Sequence, residues 1–133
     1  MIEAAIVEVL SNSGPWAAFA GARIYPLLIP EHAEGQAPKF PCAVYQRSGT
    51  QRAFRSCDPD ALVRAQIQID VYALSYGEAK LGADLARAAL LDFTGEASGM
   101  HIDGVSLESE LDALDPEPGL YRVSQTYDVR FLE

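Results

Sequence analysis

Val63-Arg64-Ala65-Gln66-Ile67-Gln68-Ile69-Asp70-Val71-Tyr72-Ala73 alternates apolar and polar side chains without a break. Val63, Ala65, Ile67, Ile69, Val71 and Ala73 fall on one side, and Arg64, Gln66, Gln68, Asp70 and Tyr72 fall on the other. Successive side chains of a strand point to opposite faces, so this period predicts a strand from about Leu62 to Ala73 in a sheet with one dry face. Its polar side needs either solvent or a partner.

Working outward, Ser75-Tyr76-Gly77-Glu78 has the spacing of a capping box, and Leu81, Leu85, Ala88 and Leu91 then recur at helical period until Gly95. These residues predict the principal helix. A strand is expected from Met100 to Leu107, with Asp103-Gly104 marking a tight turn or a bulge. The acidic, proline-containing stretch from Glu108 to Gly119 reads as a loop or an extension. Tyr121, Val123, Tyr127, Val129 and Phe131 alternate with Arg122, Ser124, Thr126, Asp128 and Arg130 along a terminal strand.

On the N-terminal side, Cys42 to Ser48 reads as a strand, followed by a polar hairpin loop from Gly49 to Pro59. The proline-rich stretch from Pro26 to Pro41 reads as a loop, and Arg23-Ile24-Tyr25-Pro26 as a short extended piece. Ile2, Ile6, Val9 and Leu10 predict a short amphipathic helix. Ser13 and Pro15 then suit the start of a second helical turn that presents Trp16 and Phe19 and ends at Gly21. No strand-helix-strand repetition occurs. The expected fold is α+β: one domain over 1–133, a single mostly antiparallel sheet of about four strands, and the principal and N-terminal helices packed on one face.

Net charge is -9 over 133 residues, which opposes a surface built to bind nucleic-acid phosphates. The charge is unevenly spread. Residues 39 to 64 hold five basic side chains (Lys39, Arg47, Arg52, Arg55, Arg64) against Asp58 and Asp60, net +3. Residues 92 to 133 hold ten acids, among them Glu108, Glu110, Asp112, Asp115 and Glu117, against Arg122 and Arg130, net -8. Such asymmetry suits either ordinary solvated faces or complementary surfaces on neighbouring subunits.

Catalytic patterns are missing from the sequence: no phosphate-cradling glycine loop, no H-E-x-x-H and no G-x-S-x-G. Cys42 and Cys57 form no C-x-x-C pair and are expected as thiols, while His32 and His101 have no second ligand at metal spacing. The acidic run from Glu108 to Glu117 lacks the glycine and terminal glutamate of a calcium loop. Tyr45, Tyr72, Tyr121 and Tyr127 resemble a stacking platform for single-stranded nucleic acid, but three of them lie on core-facing phases of their strands. Neither enzymatic activity nor a cofactor or metal is expected. The start of the chain lacks signal-peptide character and no apolar run is long enough to span a bilayer, so synthesis and retention in the cytoplasm are expected.

Several segments occur in a familiar order: Gly21-Ala22-Arg23-Ile24-Tyr25-Pro26, Pro41-Cys42-Ala43-Val44-Tyr45-Gln46, Ala65 to Ala73, Ser75-Tyr76-Gly77-Glu78-Ala79 and Gly119-Leu120-Tyr121-Arg122-Val123-Ser124. Together with the Ala- and Leu-rich N-terminal helix, the ensemble resembles the tail-completion (tail-terminator) proteins of long-tailed phages, prophages and gene transfer agents. The resemblance covers nearly the whole chain. It implies a structural virion protein at the neck of the tail that assembles in the bacterial cytoplasm as a ring, usually a hexamer, on the end of the tail tube. Its partners would be copies of itself, the tail-tube protein and the head connector or stopper, with DNA passing through unbound. Another head-tail connector component, a stopper or adaptor, is the near alternative, and a small α+β enzyme or ligand-binding domain the distant one. The candidate interface residues are Arg47, Arg52, Arg55 and Arg64 on the basic side, and Glu108, Glu110, Asp112, Asp115 and Glu117 on the acidic side.

Overall fold

A computed structural model describes residues 1–27, 39–52, 63–115 and 119–132; the side chains of Gln51, Arg52 and Asp115 lie outside this description. The strand that begins at Val63 is β3 (Val63–Ala73), and all six of its odd-numbered residues are buried. It pairs antiparallel with β2 (Cys42–Arg52) on one side and with β6 (Leu120–Leu132) on the other. β6 pairs antiparallel with β5 (Met100–Asp115), and two three-residue strands complete the edges. β1 (Ile24–Pro26) runs parallel to the Cys42 end of β2, and β4 (Gly95–Ala97) runs antiparallel to the Met100 end of β5.

The result is a six-stranded mixed sheet in the order β1-β2-β3-β6-β5-β4. The expectation of about four antiparallel strands is therefore too small at both edges. β1 and β4 are too short to show a period, and β5 extends to Asp115 where the acidic stretch reads as a loop. β2 likewise continues to Arg52, past Ser48; the remainder of the expected hairpin loop lies outside the described residues.

Two shifts of register shape β5. One falls between Ile102 and Gly104, where the sequence allows a tight turn or a bulge, and the other between Leu107 and Ser109. The guanidinium of Arg130 lies across Gly104, 2.7 Å from where a Cβ would stand. The second shift puts Glu108 and Ser109 on the same side, and it sends Glu110, Asp112 and Leu114 to the side that carries Ile102, Val105 and Leu107 earlier in the strand.

Three helices cover the apolar side of the sheet: α1 (Ile2–Ser11), α2 (Gly14–Phe19) and α3 (Tyr76–Leu90). α1 buries Ile2, Ile6, Val9 and Leu10 as its spacing predicts, and α2 buries Trp16, whose ring meets Phe19 in a tilted contact at 5.7 Å. Ser75 caps α3, its hydroxyl accepting from the Glu78 amide at 3.2 Å. The buried face of α3 corrects the sequence reading. Ala79, Gly82, Ala83, Ala86 and Leu90 face inward, while Leu81 and Leu91 are exposed.

Small residues face inward because α3 lies close against its neighbours. A Cβ on Gly82 would come within 2.6 Å of both the Phe19 ring and a Val71 methyl. Gly82→Ala should therefore destabilise the protein by about 1–3 kcal/mol through overpacking, although alanine is the better helix former by about 1 kcal/mol. Denaturant unfolding measures the difference; an unchanged or higher midpoint would show that α3 can move away at no cost.

Candidate functional site

Among the described residues no helix packs on the other face of the sheet, and that face is polar. Arg64 lies beside Asp128 on the neighbouring strand, with Nη2 2.7 Å from the Asp128 carboxylate, and Gln66 donates to Glu108 at 2.8 Å across two strands. With Gly49 and Thr50 these four residues line an open groove of about 340 Å³. The Asp128 contact holds the Arg64 guanidinium above its usual range, chiefly through the hydrogen bond. Further along, Gln68 donates to Asp70 at 3.0 Å, and both Asp70 (7%) and Asp128 (5%) are scarcely exposed. Buried carboxylates with donors beside them rigidify a surface.

The acidic residues of β5 divide between the two sides. Glu108 joins the polar groove, whereas Glu110 and Asp112 lie on the helix side. Asp112 accepts from the Tyr76 hydroxyl and from Lys80 at 3.3 Å, which ties β5 to the first turns of α3. These contacts hold the Asp112 carboxyl below its ordinary range, with the Tyr76 hydrogen bond the largest cause. The same hydrogen bond raises the Tyr76 hydroxyl, and Lys80 is raised by its bond to Asp112. All three groups are exposed, so the cluster is an orienting contact of small energetic worth.

Glu110 meets a more deeply buried network. The Gln125 amide donates to the Ala83 carbonyl at 3.0 Å and to Glu110 at 3.1 Å, while its oxygen accepts from the Tyr127 hydroxyl at 2.7 Å. Gln125 and Tyr127 are buried, and burial pushes the Tyr127 hydroxyl far above its ordinary range. This network satisfies the buried amide side chain of Gln125 on the apolar side.

On the opposite edge, Arg47 points to the helix side of β2 and meets Glu3 of α1 at 2.6 Å. Only the backbones of Arg52 and Asp115 are described, and Arg55 and Glu117 lie outside the described residues. The five candidates whose side chains are described thus fall in several places. The structure joins Arg64 with Glu108 in the groove and distributes Arg47, Glu110 and Asp112 among contacts with helices and core. Of Tyr76, Lys80 and Gln125, which hold the acidic strand in place, the sequence reading touches only Tyr76, as a member of the capping box and of a familiar segment.

Cys42 is a free, buried thiol that burial pushes up to about 11, so it stays protonated and unreactive at neutral pH. Among the described residues, no three His, Cys, Asp or Glu side chains gather as a metal would require, and no helix is long and apolar enough to cross a membrane.

Among the described residues, what remains exposed and apolar concentrates at the outer strands and the start of α3. Leu111 is 65% exposed and Leu114 53%, both on β5, and Leu74, Tyr76 and Leu81 are exposed nearby in sequence around the start of α3. Leu114 is paired in register with Tyr121, whose ring approaches Tyr76 at 6.0 Å. Beside β2, Met1 and Leu27 are also exposed and line a shallow hollow with Tyr45 and Arg47. A protein with this distribution offers surfaces for other chains.

The family model described as Tail completion protein gp17 matches residues 4–132. Among solved structures, the chain is similar to one in the virion of a native gene transfer agent particle. That similarity has a TM-score of 0.74 at 17% identity, covering 99% of this chain and 95% of that one. No curated protein sequence matches.

Proposed function

Because the chain belongs to the tail completion protein family, we propose that it caps the finished tail tube of a phage or phage-like particle as a ring of identical copies and then receives the head connector. A structural role in tail assembly within the virion follows from the family itself. The finer reading, a terminator, rests on the match over residues 4–132 together with the kind of surface the chain exposes.

A tube of identical stacked rings presents the same binding face after every addition, so growth is open-ended unless a different subunit covers that face. Covering it requires only non-covalent contact. The rigid polar sheet face, with Arg64 held by Asp128 and Gln66 by Glu108, suits contact with another protein better than chemistry. A head-to-tail ring needs two unlike patches on each copy, and the basic β2 side and acidic β5 side supply them. The resemblance to tail-completion proteins implies six copies. A net charge of -9 lets DNA pass without sticking.

Binding to the two neighbours tests the assignment. Immobilised protein should retain the tail-tube protein in buffer free of nucleotide and divalent metal. Retention of the head connector alone, with none of the tube protein, would replace the terminator by a stopper or adaptor.

A further inference from the structure

Among the described residues the sheet is open at two places, and their chemistry differs. β1 covers the Cys42 end of β2, with a last backbone bond from the Leu27 amide to the Tyr45 carbonyl, and beyond it no described residue pairs with the outer side of Gln46–Arg52. β4 covers the Met100 end of β5, and the Asp92 amide reaches the Val105 carbonyl at 3.0 Å. Beyond that, no described residue pairs with the outer side of Ser109–Asp115. Unpaired strand edges recruit other strands unless they are blunted.

The two free edges differ in charge and share exposed apolar surface. Arg47 and Arg52 stand on the first, with Met1 and Leu27 beside it; Glu110, Asp112 and Asp115 stand on the second, with Leu111 and Leu114. An edge kept free by charge alone has no use for leucines 65% and 53% exposed. Pairing β5 with β5 of another copy would set acid against acid, and β2 with β2 would set arginine against arginine. Pairing β5 with β2 sets opposite charges together.

We infer that the outer edge of β5 at Ser109–Asp115 adds as a strand to the outer edge of β2 at Gln46–Arg52 in a neighbouring copy, continuing one sheet from subunit to subunit. The contact is heterologous, which closes into a ring or extends as a filament. This deepens the ring reading and rests on it. Registers across the sheet fix one further property. Gly49 lies level with Ser106, through Gln66 and Asp128, whereas Asp112 lies level with Val123. The free halves are therefore offset along the strands by about five residues, roughly 17 Å. Neighbouring copies must step along the strand direction as they join, so the strands tilt against the ring axis, as closure of a sheet requires.

Ser48 and Ala113 lie within the two free edges, away from the buried core. In a Cys57→Ser background, where buried Cys42 stays inert, Ser48→Cys and Ala113→Cys chains are mixed with tail tubes and treated with a short bis-maleimide. Linked dimers should form in the mixture and not with either variant alone. The double variant Leu111→Asp, Leu114→Asp should weaken assembly at least about tenfold while leaving the thermal melt of the free chain unchanged. Linkage within one variant alone would mean a symmetric contact and overturn the inference. Rings that assemble on tube ends without any Ser48–Ala113 linkage would overturn the edge contact and keep the ring. Failure of the unmodified protein to assemble at all would overturn both.

Discussion

Val71→Asp should abolish soluble folding. Val71 is fully buried, its cross-strand neighbours are Ala43 and Val123, and Gly82 of α3 sits directly above it. None of these offers a hydrogen bond to a carboxylate. A carboxyl in such a place costs several kcal/mol even when it protonates, against a total stability of about 5–15 kcal/mol for an ordinary domain. The expected result is inclusion bodies or a chain without a cooperative melt.

Ile67→Asp, on the same face, should be less severe. Ile67 lies between Arg47 and Tyr127 in register, and Arg47 can turn from Glu3 to the new carboxylate. On the polar face, Gln66→Ala loses one exposed bond to Glu108 and should stay within about 0.5 kcal/mol of the parent. Equal tolerance of Val71→Asp and Gln66→Ala would invert the faces of the sheet.

These contrasts show which parts of the fold are legible in the sequence. β3 is legible because apolar side chains line one face and polar ones the other along its whole length, and β6 repeats the pattern except at Gln125. The second half of β5 is not, because an edge strand has little core to face: its acids and leucines alternate without an apolar side. The inward face of α3 is misread for a different reason. Leucine spacing points to Leu81 and Leu91, but a helix pressed against Val71 and Phe19 can bury only alanine and glycine there. Size, which hydropathy ignores, decides the face.

The candidate contact residues show the same division. The charge asymmetry is visible in the sequence, and β2 and β5 do occupy the two outer parts of the sheet. What charge alone does not reveal is that Arg47, Arg64, Glu110 and Asp112 already have partners within the chain. Their rearrangement on assembly would have to compete with Glu3, Asp128, Gln125 and Lys80. Surface ion pairs are weak enough to be exchanged, at about 0–1 kcal/mol each. The backbone edges and the leucines beside them carry more of a contact than the charges, which favour one pairing over another.

The effect of removing the protein from the particle is the largest expected of all. Without a subunit that covers the growing face, nothing in a tube of identical rings marks its end. Electron microscopy of particles made without this chain tests that directly. The account predicts filled, closed heads without tails beside free tubes that are overlong or uneven in length, with joining restored when purified protein is added without nucleotide or metal. Tails of normal length already attached to heads, or heads that leak their DNA while free tails end cleanly, would contradict it.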